Sequence, residues 1–121
     1  MSLEKAVNEV LRAIPALAGF SIRPNVADSV DKPPYVVFRN IVGSRPQTLG
    51  GDCGLANGRM QIDVYAETVV QTSALKTEIR KGMLAATEFS AVFLNEGAGV
   101  DPATKLHRYR QDFSVWLADD N

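Results

Sequence analysis

The chain has 121 residues, 45% hydrophobic and 22% charged, a composition that supports one folded domain with its own core and argues against disorder. Thirteen Lys and Arg against fourteen Asp and Glu leave a net charge of −1, which excludes a global field that attracts nucleic acid or an anionic membrane. The single Cys53 excludes an internal disulfide, no basic-then-apolar leader opens the sequence, and no apolar run approaches the roughly 20 residues needed to cross a bilayer, so a soluble cytoplasmic product is expected.

Taken in chain order, Leu3, Val7, Val10, Leu11 and Ile14 recur at helical spacing, with Ser2 as N-cap and Pro15 and Gly19 as stop signals. They predict a helix over about 3–14. Phe20 and Ile22 form a short strand before Pro24, and Pro33 with Pro34 forces an extended lead-in to "YVVFRNIVG", 35–43, which is rich in β-branched and aromatic residues and reads as a long strand. The next segment, "SRPQTLGGDCGLAN", lies between Gly43 and Gly58 and carries three glycines and a proline. It is expected to be a long hairpin loop, and loops of this length are usually functional or mobile.

The return strand is "GRMQIDVYAET", where Met60, Ile62, Val64 and Ala66 alternate with Arg59, Gln61, Asp63, Tyr65 and Glu67. Thr68 with Gln71 then makes a capping box for a helix whose buried stripe is Leu75, Ile79, Met83 and Ala86, with Lys76, Arg80 and Lys81 outside it. A strand over 89–95 and a turn-rich connector, "EGAGVDPATK", lead to the last strand, "LHRYRQDFSVWLA". There Tyr109, Phe113, Val115 and Leu117 oppose Arg108, Arg110, Asp112, Ser114 and Trp116. This order predicts an α+β fold: a four- to five-stranded, mainly antiparallel sheet with two helices packed on one face, the whole of 1–121 forming a single domain. The polar sides of 59–67 and 108–116 then lie on the uncovered face.

On that face Asp63 and Asp112 share strand faces with Arg59, Arg108 and Arg110. Cross-strand ion pairs, each worth roughly 0.2–1 kcal/mol, are one reading, and use of the same charges in a subunit interface is another. An acid/base pair is the third, but no nucleophile and base set lies nearby to support it. Trp116 is read either as an interface anchor or as a residue folded under a loop at the sheet edge.

His107 is the only histidine, which removes His-based metal sites, and no G-x-S-x-G elbow accompanies it. Cys53 sits in "GGDCG" with no neighbouring group to depress its pKa. The glycine-rich loop matches neither phosphate-binding pattern and has no helix after it to hold a phosphate. No catalytic residue, cofactor or metal site is expected.

Three segments in order, "PPYVVFRNI", "GRMQIDVYAET" leading directly into a helix, and "YRQDFSVWL", together resemble the tail-completion family of long-tailed phages and prophages over about residues 1–118. The resemblance implies a structural virion protein similar to tail terminators and head-to-tail joining proteins. Such a protein caps the tail tube and meets the head connector, works as a homo-oligomeric ring that is often sixfold, and moves from the host cytoplasm into the virion tail. It transfers no catalytic residue. It implies instead that Arg59, Asp63, Arg110 and Asp112 share the sheet, and they stand with Trp116 as interface candidates. A different reading is a ligand-binding or enzymatic α+β domain with the 43–58 loop as a lid. A nucleic-acid accessory protein is disfavoured by the scattered basic residues.

Overall fold

The computed structural model describes residues 3–25, 32–44, 47–48, 51–52 and 55–118. Helix α1 spans Leu3–Ala13 and buries Leu3, Ala6, Val7, Val10 and Leu11. It ends before Pro15, which cannot donate to a continuing ladder and instead starts a 3-10 turn over Pro15–Leu17. Gly19, at φ 81, then turns the chain in a conformation that side chains disfavour. The proposed N-cap Ser2 lies outside the described residues.

Strand β1 (Ser21–Pro24) is followed by β2 (Tyr35–Ser44). Two short strands, β3 (Gln47–Thr48) and β4 (Gly51–Asp52), pair with each other before β5 (Leu55–Ala66). Helix α2 (Val69–Ala85), β6 (Ser90–Val100) and β7 (His107–Ala118) complete the chain. The main sheet has the order β1-β2-β5-β7-β6. Every pairing in it is antiparallel except β1 with β2, which is parallel, so the sheet is mixed.

Two boundaries differ from the sequence expectation. The predicted connector "EGAGVDPATK" is strand as far as Val100, because β7 has twelve residues and β6 pairs with it from Ser90↔Trp116 to Val100↔His107. Glycines at 97 and 99 hide that strand from a propensity argument. The actual turn is held by Asp101, whose carbonyl accepts from Lys105 N and whose carboxylate accepts from Thr104 Oγ1 at 2.8 Å. The 43–58 loop is shorter than expected, since β2 continues to Ser44, β5 opens at Leu55 and a small ladder lies between. The remainder of that loop, Cys53 included, lies outside the described residues, and with it the expected mobility and the lid.

The N-terminus of α2 follows the sequence closely: Thr68 Oγ1 accepts from Gln71 N at 3.2 Å. The α2 residues Leu75, Ile79 and Met83 pack with α1 onto Val36, Phe38, Met60, Ile62, Val64, Phe113, Val115 and Leu117, so both helices cover one face of the sheet. Phe93 and Phe113, opposite each other across β6 and β7, meet edge to face with centroids 5.6 Å apart. The helices approach closely at Gly82, where an added Cβ would lie 2.6 Å from Ile14 Cδ1. Bulges at Ile41 and Leu94 push both side chains outward, leaving each 46% exposed.

Candidate interface on the open sheet face

Alternation along a strand sends every second residue away from the helices. Through the registers Tyr35↔Tyr65, Val37↔Asp63 and Asp63↔Arg110, the open face collects Tyr35, Val37 and Arg39 from β2 with Arg59, Gln61, Asp63 and Tyr65 from β5. From β7 it gains Arg108, Arg110, Asp112, Ser114 and Trp116. All five interface candidates therefore share this face, as the strand pattern predicts. Neither helix covers it, yet Asp63 is 1% and Asp112 4% exposed, so its uncovered position does not leave these carboxylates in water. Arg39, Arg108 and Arg110 stand near Asp63 and Arg59 pairs with Asp112, so long side chains flank both of the shorter aspartates.

Asp63 sits centrally. Gln61 Nε2 donates to both carboxylate oxygens, at 3.4 and 3.2 Å, and Arg39 Nη2 stands 3.8 Å from Oδ2. Burial pushes its carboxyl above the ordinary 3.8, and the opposing influences of Gln61, Arg108, Arg39 and Arg110 do not offset it. Beside it, Tyr65 stacks on Tyr35 with centroids 4.9 Å apart, and burial followed by the Asp63 charge pushes the Tyr65 phenol upward. Arg59 Nη2 donates to Asp112 Oδ2 at 2.9 Å, a charge-assisted bond between β5 and β7.

The arrangement has an excess of donors. Among the described residues, Arg39, Arg59, Arg108 and Arg110 share this face with two carboxylates, Asp63 and Asp112, in a chain whose net charge is −1. Arg39 Nε, Arg110 Nε and Asp112 Oδ1 are buried with no hydrogen-bond partner. Native folds leave few such atoms, because each costs about 1–3 kcal/mol of lost hydration. Gly97 and Gly99 stand opposite Arg110 and Arg108. A Cβ at either would lie 3.7 Å from the arginine Nη2, so the two guanidinium groups lie over strand β6 where no side chain stands in the way.

Farther along, Asn57 Nδ2 donates to Ser114 Oγ and to the Val115 carbonyl, both at 3.0 Å, and pins β5 to β7 beside Trp116. Trp116 is 37% exposed, with Val92 and Leu94 on the neighbouring strand 54% and 46% exposed. Sequence reasoning missed Arg39, since "YVVFRNIVG" reads simply as a strand. Its odd position, shared with Tyr35 and Val37, was the available signal. His107 opens β7 opposite Ala66 and Val100. Among the described residues no group of three or more His, Cys, Asp or Glu could hold a metal ion, and no helix is long and apolar enough to cross a membrane.

One sheet with an apolar covered face and an open, arginine-rich face defines a small α+β protein whose distinctive chemistry is a surface of paired and unpaired charge. The chain belongs to the family described as tail completion protein gp17, which matches residues 5–118. That membership makes it a structural protein of phage tails. The fold is similar to that of a chain in a solved structure titled "Virion of native gene transfer agent (GTA) particle". The TM-score is 0.76 at 19% identity, covering 97% of this chain and 95% of that one. No curated protein matches the chain.

Proposed function

We propose that this protein is a tail terminator: a non-enzymatic, single-domain subunit that assembles in the host cytoplasm as a homo-oligomeric ring, caps the tail tube and joins it to the head connector. The carrying observation is family membership over nearly the whole chain, coupled to an open face whose arginines outnumber its carboxylates. A closed ring needs heterologous contacts, in which one patch of each subunit meets a different patch of the next. The open face suits one side of such a contact. Arg59, Asp63, Arg110 and Asp112 supply fixed charge, and Trp116 supplies an exposed aromatic anchor. Similarity of fold to a chain of a gene transfer agent virion fits a place in the particle.

The test is electron microscopy of particles made without this protein, then complemented with wild type or with Arg59→Glu. The expected result is tails that fail to reach uniform length or to join heads, rescued by wild type alone. Uniform, head-joined tails in its absence would overturn the assignment.

A further inference from the structure

On the opposite side of the molecule from the arginine-rich face, α2 crosses β6 and β7 and leaves a cavity of about 170 Å3, lined by Lys76, Thr77, Arg80, Lys81 and Gln111. Gln111 belongs to the covered face of β7, between Tyr109 and Phe113, where apolar residues are the rule. It is 1% exposed and its Nε2 has no hydrogen-bond partner. A buried amide donor left unmatched in an apolar layer is destabilising by itself, and here it borders three cations.

The surrounding charges select among ligands. Lys76 Nζ donates to the Tyr109 hydroxyl at 3.1 Å and lies 3.7 Å from Glu96 Oε1. Lys81 Nζ lies 3.8 Å from Glu78 Oε1. Arg80 has no carboxylate partner among the described residues; its Cζ rests 4.9 Å from the Phe93 ring centroid. The Thr77 hydroxyl already donates to the Ser73 carbonyl at 3.0 Å. The site therefore offers one uncompensated cation and one free amide donor, flanked by two glutamates that repel a dianion.

We propose that this cavity is a carboxylate-binding pocket that receives a single Asp or Glu side chain of a partner protein. One carboxylate oxygen accepts from Gln111 Nε2 and the other from the Arg80 guanidinium. A monoanion matches the local charge, and the planar guanidinium suits the two-oxygen head group. Phosphate, larger in charge and needing more donors, fits poorly.

Acetate is the probe, titrated into the intact protein while the Gln111 side-chain amide and the α2 backbone amides are followed by nitrogen-15 NMR at constant ionic strength. Saturable shifts of the Gln111 amide are expected, with affinity about tenfold weaker in Arg80→Gln, an exposed substitution that leaves the core untouched. Absence of a saturable Gln111 response, an equal response to chloride, or unchanged acetate affinity in Arg80→Gln would overturn the pocket. Tighter saturation by inorganic phosphate than by acetate would overturn its assignment to carboxylates.

Discussion

Strands β5 and β7 present two faces of opposite chemistry, one buried along most of its length and one buried only at its two aspartates. Toward the helices, Met60, Ile62, Val64, Phe113, Val115 and Leu117 are between 0% and 5% exposed. Away from them, Asp63 and Asp112 reach 1% and 4%, although neither helix covers that side. Burial on the first side comes from the two helices, and on the second it falls on two carboxylates flanked by arginines. The difference lies in what is satisfied. Apolar groups need only contact, whereas Arg39 Nε, Arg110 Nε and Asp112 Oδ1 are dry and unpaired. The covered face is therefore complete in the monomer except at Gln111 Nε2, while the open one gains from any partner that supplies acceptors to its arginines.

The largest expected effect falls on the covered face. Phe113→Ala removes a fully buried ring packed edge to face on Phe93, and should cost about 3–5 kcal/mol of stability in urea denaturation. A loss below about 1 kcal/mol, within reach of a surface change, would mean that the helix-covered layer is not where stability resides.

A smaller, pH-dependent effect separates the two kinds of burial. The Asp63 carboxyl titrates above its ordinary value because it is dry. A raised folded pKa means that its contribution is fully present below the unfolded value and is lost as pH rises through the folded one. Asp63→Asn removes that charge. The stability of the variant relative to wild type should therefore fall as pH is lowered from neutrality through the window just above 3.8, read by denaturation at a series of pH values. A relative stability that instead rises on acidification would show that the arginines outweigh burial and that the open face is already electrostatically complete.

Much of this contrast is visible in the sequence, because it rests on period-2 alternation in β5 and β7 and on a capping pair at Thr68 and Gln71. The core stripe of α2 follows from the 3.6-residue period in the same way. What escaped has identifiable causes. The second half of β6 is held by pairing with β7 and not by its own glycine-containing sequence, so local propensity missed it. The burial of Asp63 among arginines from β2 and β7 joins residues far apart in the chain, which no local pattern brings together. Gln111 falls in the apolar register of its strand, where a single polar residue gives no sign of the cavity it borders. The parallel pairing of β1 was likewise a matter of where a connection returns, not of residue type.

The smallest effect, and the one that tests the two faces with the same chemistry, is a pair of glycine substitutions. Gly97 lies in β6 on the open side, and an added Cβ would meet only Arg110 Nη2 at 3.7 Å, an ordinary contact. Glycine in a strand interior is about 0.5–1 kcal/mol less favourable than alanine, since it loses more backbone freedom on folding, so Gly97→Ala should stabilise by a few tenths of that scale. Gly82 lies in α2 on the covered side, where the same methyl would stand 2.6 Å from Ile14 Cδ1 and 2.7 Å from Cγ1. Ile14 is itself buried, at 6% exposed. The gain in helix propensity, about 1 kcal/mol, is then opposed by an overpacking cost of about 1–3 kcal/mol, so Gly82→Ala should destabilise. Opposite signs in thermal or urea denaturation are expected because one methyl meets the end of an arginine at an ordinary contact distance and the other meets a buried branched side chain. If both variants were stabilised, Ile14 would have to swing aside freely, and the covered face would be as adaptable as the arginine layer across the sheet.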